Sequence, residues 1–156
     1  MRDDLKKQYA MRISQANNVE MILIGYEMTD TYLCDAVNDR DDKAVYRNNL
    51  DMAGKCIDEM LANLHYEYEP AAALKKLYLY MKIRLRDAKY NGDLAAIEEV
   101  RAYLNRLHES YESVKDRDTS VPVMKNTQEV VTGITYGKNQ ILDELSNDVS
   151  KRGFLV

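Results

Sequence analysis

The chain has 156 residues, of which 46% are hydrophobic and 31% charged. That is enough for one domain with a real core, in a composition that is globular and not disordered. A net charge of −4 argues against a dedicated nucleic-acid binder, which needs a basic face for phosphate. The absence of any run of about 18 apolar residues argues against a membrane span. The opening Met1-Arg2-Asp3-Asp4 lacks the apolar stretch of a secretory signal. The expectation is a cytoplasmic protein, with Cys34 and Cys56 as free buried thiols.

With only two prolines and six glycines, long helices meet few breakers. Leu5, Tyr9 and Ile13, spaced by four, predict a short amphipathic segment of a helical turn or two, within an N-terminal region 1–17. Asn17 or Asn18 then caps a first long helix over 18–38, since an asparagine side chain accepts a backbone N–H. Its inner stripe is Val19, Ile22, Tyr26, Leu33 and Val37. A second helix opens at Asp41 or Asp42 and runs to about His65, with Val45, Met52 or Ala53, Ile57, Met60 and Leu64 inward. Pro70 suits the first turn of a third helix over 71–90, whose core face is Leu74, Leu77, Met81, Leu85 and Ala88. Gly92 reads as a left-handed C-cap and Asp93 as the N-cap of a fourth helix over 94–116. There Ile97, Val100, Leu104, Leu107, Tyr111 and Val114 give the cleanest three-and-four periodicity in the chain.

Helices of this length span roughly 30 Å, and links this short force neighbours to lie antiparallel. The predicted fold is all-α, an antiparallel up-and-down four-helix bundle over 18–117, with a short N-terminal segment. Residues 118–156 read as a linker and a tail holding a short amphipathic helix, with Ile141, Leu142, Leu145 and Val149 on one face.

No catalytic constellation is present. The only histidines, His65 and His108, lack the second histidine of a metalloprotease motif. The Glu-x-x-His pattern of di-iron bundles is missing as well. Neither an enzyme, a metal site nor a cofactor is expected. The basic row Lys75, Lys82, Arg86 and Lys89 shares one helix face. It is read as pairing with acidic neighbouring helices rather than with an outside partner.

The informative feature is surplus apolar surface. On the third helix Ala72, Leu79, Ile83 and Tyr90 lie nearly opposite the core stripe. On the first, Met21, Met28 and Tyr32 flank the inner stripe, with Leu23 and Ile24 beyond it. A helix apolar on two faces is either central in a core or carries a binding face. The cover is the N-terminal segment, the tail, a second subunit or a partner. A helical adaptor or homodimer is the alternative that the same surface allows.

The residues Gln8-Tyr9, Ile13, Ala16 and Glu20-Met21-Ile22-x-x-x-Tyr26-Glu27 are similar to the opening of the FliS family of flagellin export chaperones. Met52-Ala53-x-x-Cys56-Ile57-x-Glu59-Met60-x-x-x-Leu64 resembles its second helix. Leu74-x-x-Leu77-Tyr78-x-Tyr80-Met81-x-x-x-Leu85-x-x-Ala88, followed by Asp93-x-x-x-Ile97-x-x-Val100, resembles its third and fourth helices and is the most specific stretch. The likeness covers about residues 8–115. Departures include Asn18 for proline, Gly25 for leucine, Lys89 for asparagine and Tyr111 for tryptophan.

The resemblance implies a non-catalytic chaperone that binds the C-terminal segment of flagellin or a flagellin-like client. It would prevent premature polymerisation and present the client to the flagellar export apparatus. It also implies that the N-terminal segment covers part of the client groove. The candidate partner-binding residues are Tyr9, Ile13, Met21, Tyr26, Met28, Tyr32, Leu79, Ile83 and Tyr90. Ile141, Leu145 and Phe154 are candidates for a tail that docks back on the groove as an internal mimic, at the high effective concentration a tether provides.

Overall fold

The computed structural model describes residues 1–66, 70–117 and 119–124. The chain divides into two compact units, Met1–Val123 and Met124–Val156, and the fold described is that of the first. It holds five helices and, among the described residues, no strand: α1 (Asp3–Gln15), α2 (Asn18–Asn38), α3 (Lys43–Ala62), α4 (Pro70–Asn91) and α5 (Leu94–Lys115).

Local chemistry sets the boundaries. Asn17 caps α2 by accepting from the Glu20 backbone N–H, and the Glu20 side chain returns the bond to the Asn17 N–H. This reciprocal pair satisfies two donors that a bare helix start would leave unmade. Asp42 accepts from Ala44 and Val45 at the start of α3, and Asp93 from Ala96 at the start of α5. Gly92 sits at φ 69°, a left-handed conformation that costs glycine nothing and lets α4 stop and α5 begin within two residues.

Two expectations need correction. The N-terminal segment is a full helix of 13 residues, not a turn or two, because its apolar side is packed against α2. In α3 the buried row is Tyr46, Leu50, Ala53, Ile57 and Met60, while Val45 is 39% exposed. The core row therefore begins one residue later than expected, on a tyrosine whose hydroxyl donates to the Ala88 carbonyl at 2.9 Å.

Helices α2 and α3, α3 and α4, α4 and α5, and α5 and α2 pack pairwise, closing a ring, and among the described helices α1 packs only on α2. Tyr26, Leu33, Ile57, Met81, Ile97, Val100 and Leu104 fill the shared interior. Polar ladders register the pairs. Between α2 and α5 the partners are Glu20–Lys115, Glu27–His108 and Asp30–Arg101. Between α3 and α4 they are Asp51–Lys89 and Asp58–Lys82. Arg84 and Tyr80 of α4 both donate to Glu99 of α5 at 2.7 Å. In the first two ladders the numbers fall along one helix as they rise along the other.

Candidate functional site

The two surplus faces meet different fates. On α2, Met21, Ile24 and Met28 are covered by α1, which contributes Leu5, Tyr9 and Ile13, with Ala16 at the corner. Ile24 is left only 3% exposed. Burying a side chain of this size from water stabilises by about 1.5–3 kcal/mol. Polar contacts rim the cluster. The Tyr9 hydroxyl shares a hydrogen bond with the Thr31 hydroxyl at 3.1 Å, and Arg12 grips Glu27 with two parallel bonds of 2.5 and 2.9 Å. That fork geometry is the strong form of an ion pair.

The Arg12 guanidinium holds the Glu27 carboxyl below its usual range, and His108, with Nε2 3.5 Å from Glu27 Oε1, acts in the same direction. A cavity of about 410 Å³ opens beside these groups, with Gln15, Ala16, Glu20 and Lys115 among its walls. The chain leaving α5 returns to this corner, where the Val123 N–H donates to the Ala16 carbonyl at 3.0 Å.

The second face is open. Leu79 and Ile83 on α4 are 45% and 46% exposed, and Tyr90 is 66% exposed. Their numbers, four and seven apart, place them along one line of the helix. Tyr80 borders the line, edge-on to Tyr103 of α5. On its other border runs the basic row. Lys82 and Lys89 are tied to Asp58 and Asp51, and Lys75 lies over the Tyr66 ring. Among the described residues Arg86 pairs with Asp87, at 3.9 Å. Cross-helix pairing thus holds for half of the row.

Of the candidate residues, Leu79, Ile83 and Tyr90 share this open stripe. Met21, Met28, Ile13 and Tyr9 gather under or within α1. Tyr26 and Tyr32, expected at a partner face, point into the core instead. Tyr26 is 1% exposed, its hydroxyl 2.6 Å from that of Tyr78 and its ring edge-on to Tyr111. As placed, neither tyrosine offers surface to a partner. Ile141, Leu145 and Phe154 lie outside the described residues.

Two helix-interior glycines differ in kind. A Cβ on Gly25 would meet the Met60 sulfur at 3.2 Å, so close approach of α2 to α3 accounts for it. A Cβ on Gly54 would meet nothing within 4 Å. A glycine in mid-helix costs about 1 kcal/mol relative to alanine, and packing within the described unit gives no return at Gly54. The residue pattern carried no warning of it, because a glycine alone does not reveal whether anything lies above it.

Cys34 and Cys56 are free and partly buried. Burial raises both thiols above their ordinary range, which disfavours the reactive thiolate. Among the described residues no cluster of three potential ligands is placed to hold a metal ion, and no helix is long and apolar enough to cross a membrane.

No curated protein matches the chain. The model of the family described as flagellar protein FliS matches residues 1–118, a span that takes in all five helices and both faces. The chain belongs to the FliS family.

Proposed function

We propose that the protein is a cytoplasmic, non-catalytic export chaperone. Its client is the C-terminal segment of flagellin or a flagellin-like protein, which it holds unpolymerised and presents to the flagellar export apparatus. The ladders between α2 and α5 and between α3 and α4 support reading α2–α5 as an antiparallel four-helix bundle over residues 18–117. That is the rigid frame on which helix-in-groove recognition is built. The observation that carries the proposal is the open stripe of Leu79, Ile83 and Tyr90 on α4 in a chain of this family.

Two docking surfaces follow. The α4 stripe is available as it stands. The α2 stripe of Met21, Ile24 and Met28 becomes available when α1 lifts, and α1 is suited to lifting because among the described helices it packs only on α2. Met21 and Met28 beneath α1 adapt to a partner's shape. An unfolded client loses entropy on ordering, so both surfaces together give the contact area needed to offset it.

Titration calorimetry of the full chain with the C-terminal segments of flagellins from the same organism tests the proposal. Saturable binding that Ile83→Ala weakens is expected. Absence of binding to every such segment sinks it.

A further inference from the structure

Gly54 lies on the flank of α3 that faces α4, with Asp51 one turn before it and Asp58 one turn after. Both aspartates bridge to α4, through Lys89 and Lys82. The two bridges stand like posts, and between them the missing side chain leaves a gap. The gap belongs to a groove of about 490 Å³ whose floor includes Leu50 and Leu85 and whose rim includes Lys55, Arg86 and Tyr90. Glycine in a helix interior with open space above it is what a close approach by another chain requires. Nothing in the described unit makes that approach.

Charge indicates the kind of chain. The protein as a whole is acidic, at −4, yet this groove gathers four cations against two carboxylates. Both carboxylates are already engaged with Lys82 and Lys89. Lys55 and Arg86 are left on the exposed rim, Arg86 paired among the described residues with its neighbour Asp87 at 3.9 Å. A second copy docked through a two-fold axis would set this basic rim against its own image, and like charges juxtaposed across an interface disfavour pairing.

We infer that the gap at Gly54, between the Asp51–Lys89 and Asp58–Lys82 bridges, receives one large apolar side chain from a helical segment that carries acidic residues beside it. The inference rests on the chaperone reading above. The segment is the client helix lying along Leu79, Ile83 and Tyr90, and the gap fixes its register. An apolar anchor fills the space over Leu50 and Leu85 while its acidic neighbours meet Arg86 and Lys55. The open stripe supplies adhesion, and the gap decides which segment fits.

The test uses the full chain, its variants and the same flagellin C-terminal segments, read by calorimetry and by thermal melting. Gly54→Leu fills the gap from within. It is expected to weaken binding about tenfold, the loss of one buried anchor, with a melting temperature no lower than wild type. Gly54→Ala, for which no clash exists, is expected to raise the melting temperature and still weaken binding. It carries the test if the leucine disturbs the fold.

Unchanged affinity in both glycine variants, with Ile83→Ala impaired, overturns the gap and leaves the chaperone reading standing. A wild-type chain that binds none of the segments removes both. A wild-type dimer in light scattering that Gly54→Leu dissociates assigns the gap to a second copy and overturns the inference.

Discussion

Helices α2 and α4 each carry an apolar second face, and only one of the two is closed. On α2 the chain's own first helix lies over Met21, Ile24 and Met28. On α4, Leu79, Ile83 and Tyr90 remain open to solvent. Composition does not explain the difference, since each face is built from three large apolar side chains at helical spacing. Connectivity does. A link of two residues, Ala16 and Asn17, folds α1 back along α2, whereas among the described helices α4 has only α3 and α5 as neighbours, both on its core side. The same physical surplus thus becomes a latched surface in one place and a standing one in the other.

The largest effect that sharpens this contrast is on stability. Ile24→Ala should cost about 2–5 kcal/mol, the range for emptying a buried aliphatic site, seen as a lower urea midpoint. Ile83→Ala should change stability by no more than about 0.5 kcal/mol, because its side chain is already half in water. Equal losses at the two sites would erase the distinction between closed and open.

Next in size is the latch itself. Arg12→Ala removes the fork on Glu27 and should loosen α1 by about 1 kcal/mol, the upper end for a partly exposed pair. Faster amide exchange across residues 3–15, with exchange in α5 unchanged, is the expected readout.

Acid should act on the same latch. Glu27 has a folded-state pKa lowered chiefly by Arg12. Its contribution is therefore present above the ordinary carboxylate pKa and is lost as pH falls through the depressed folded value. Exchange in α1 should quicken over that acidic window in the wild type and lose this pH dependence in Arg12→Ala.

The smallest effect lies on the open side. Lys89→Ala, which removes one bridge to Asp51, should cost under about 1 kcal/mol, and added salt should shrink the difference further.

Much of the frame was legible in the sequence, because it rests on local rules. The caps at Asn17, Asp42 and Asp93 and the turn at Gly92 follow from side-chain chemistry within a few residues. The α5 stripe follows from period alone as far as Tyr111, whereas Val114, expected to continue it, is 39% exposed. What was not legible depends on neighbours distant in the chain. Helical spacing puts Leu23 and Ile24 beyond the inner stripe, yet both are buried. Ile24 is covered by α1, whose full length no local signal announced. Tyr46 was missed because the neighbouring Val45 fits the same three-and-four spacing, and only the reach of the Tyr46 hydroxyl to the Ala88 carbonyl separates the two. Of the site, the surplus on α4 was readable and proved open. Resemblance places Tyr26 at a partner face and helical spacing places Tyr32 on the flank of the inner stripe, but the rings of both complete the core. The gap at Gly54 arises from a side chain that is absent, so no pattern of residue types could display it.

The joined hydroxyls of Tyr26 and Tyr78 give the helical core an optical signature. Burial holds both phenols protonated above their ordinary range, Tyr78 up to about 12. Their contribution to stability is complete below the pKa of a free phenol and disappears as pH climbs through the folded value. Tyrosinate absorbance in alkali should therefore rise in two stages, the exposed rings first and the interior pair only as the helices come apart. With twelve tyrosines and no tryptophan in the chain, any indole emission from a complex reports on the bound polypeptide alone.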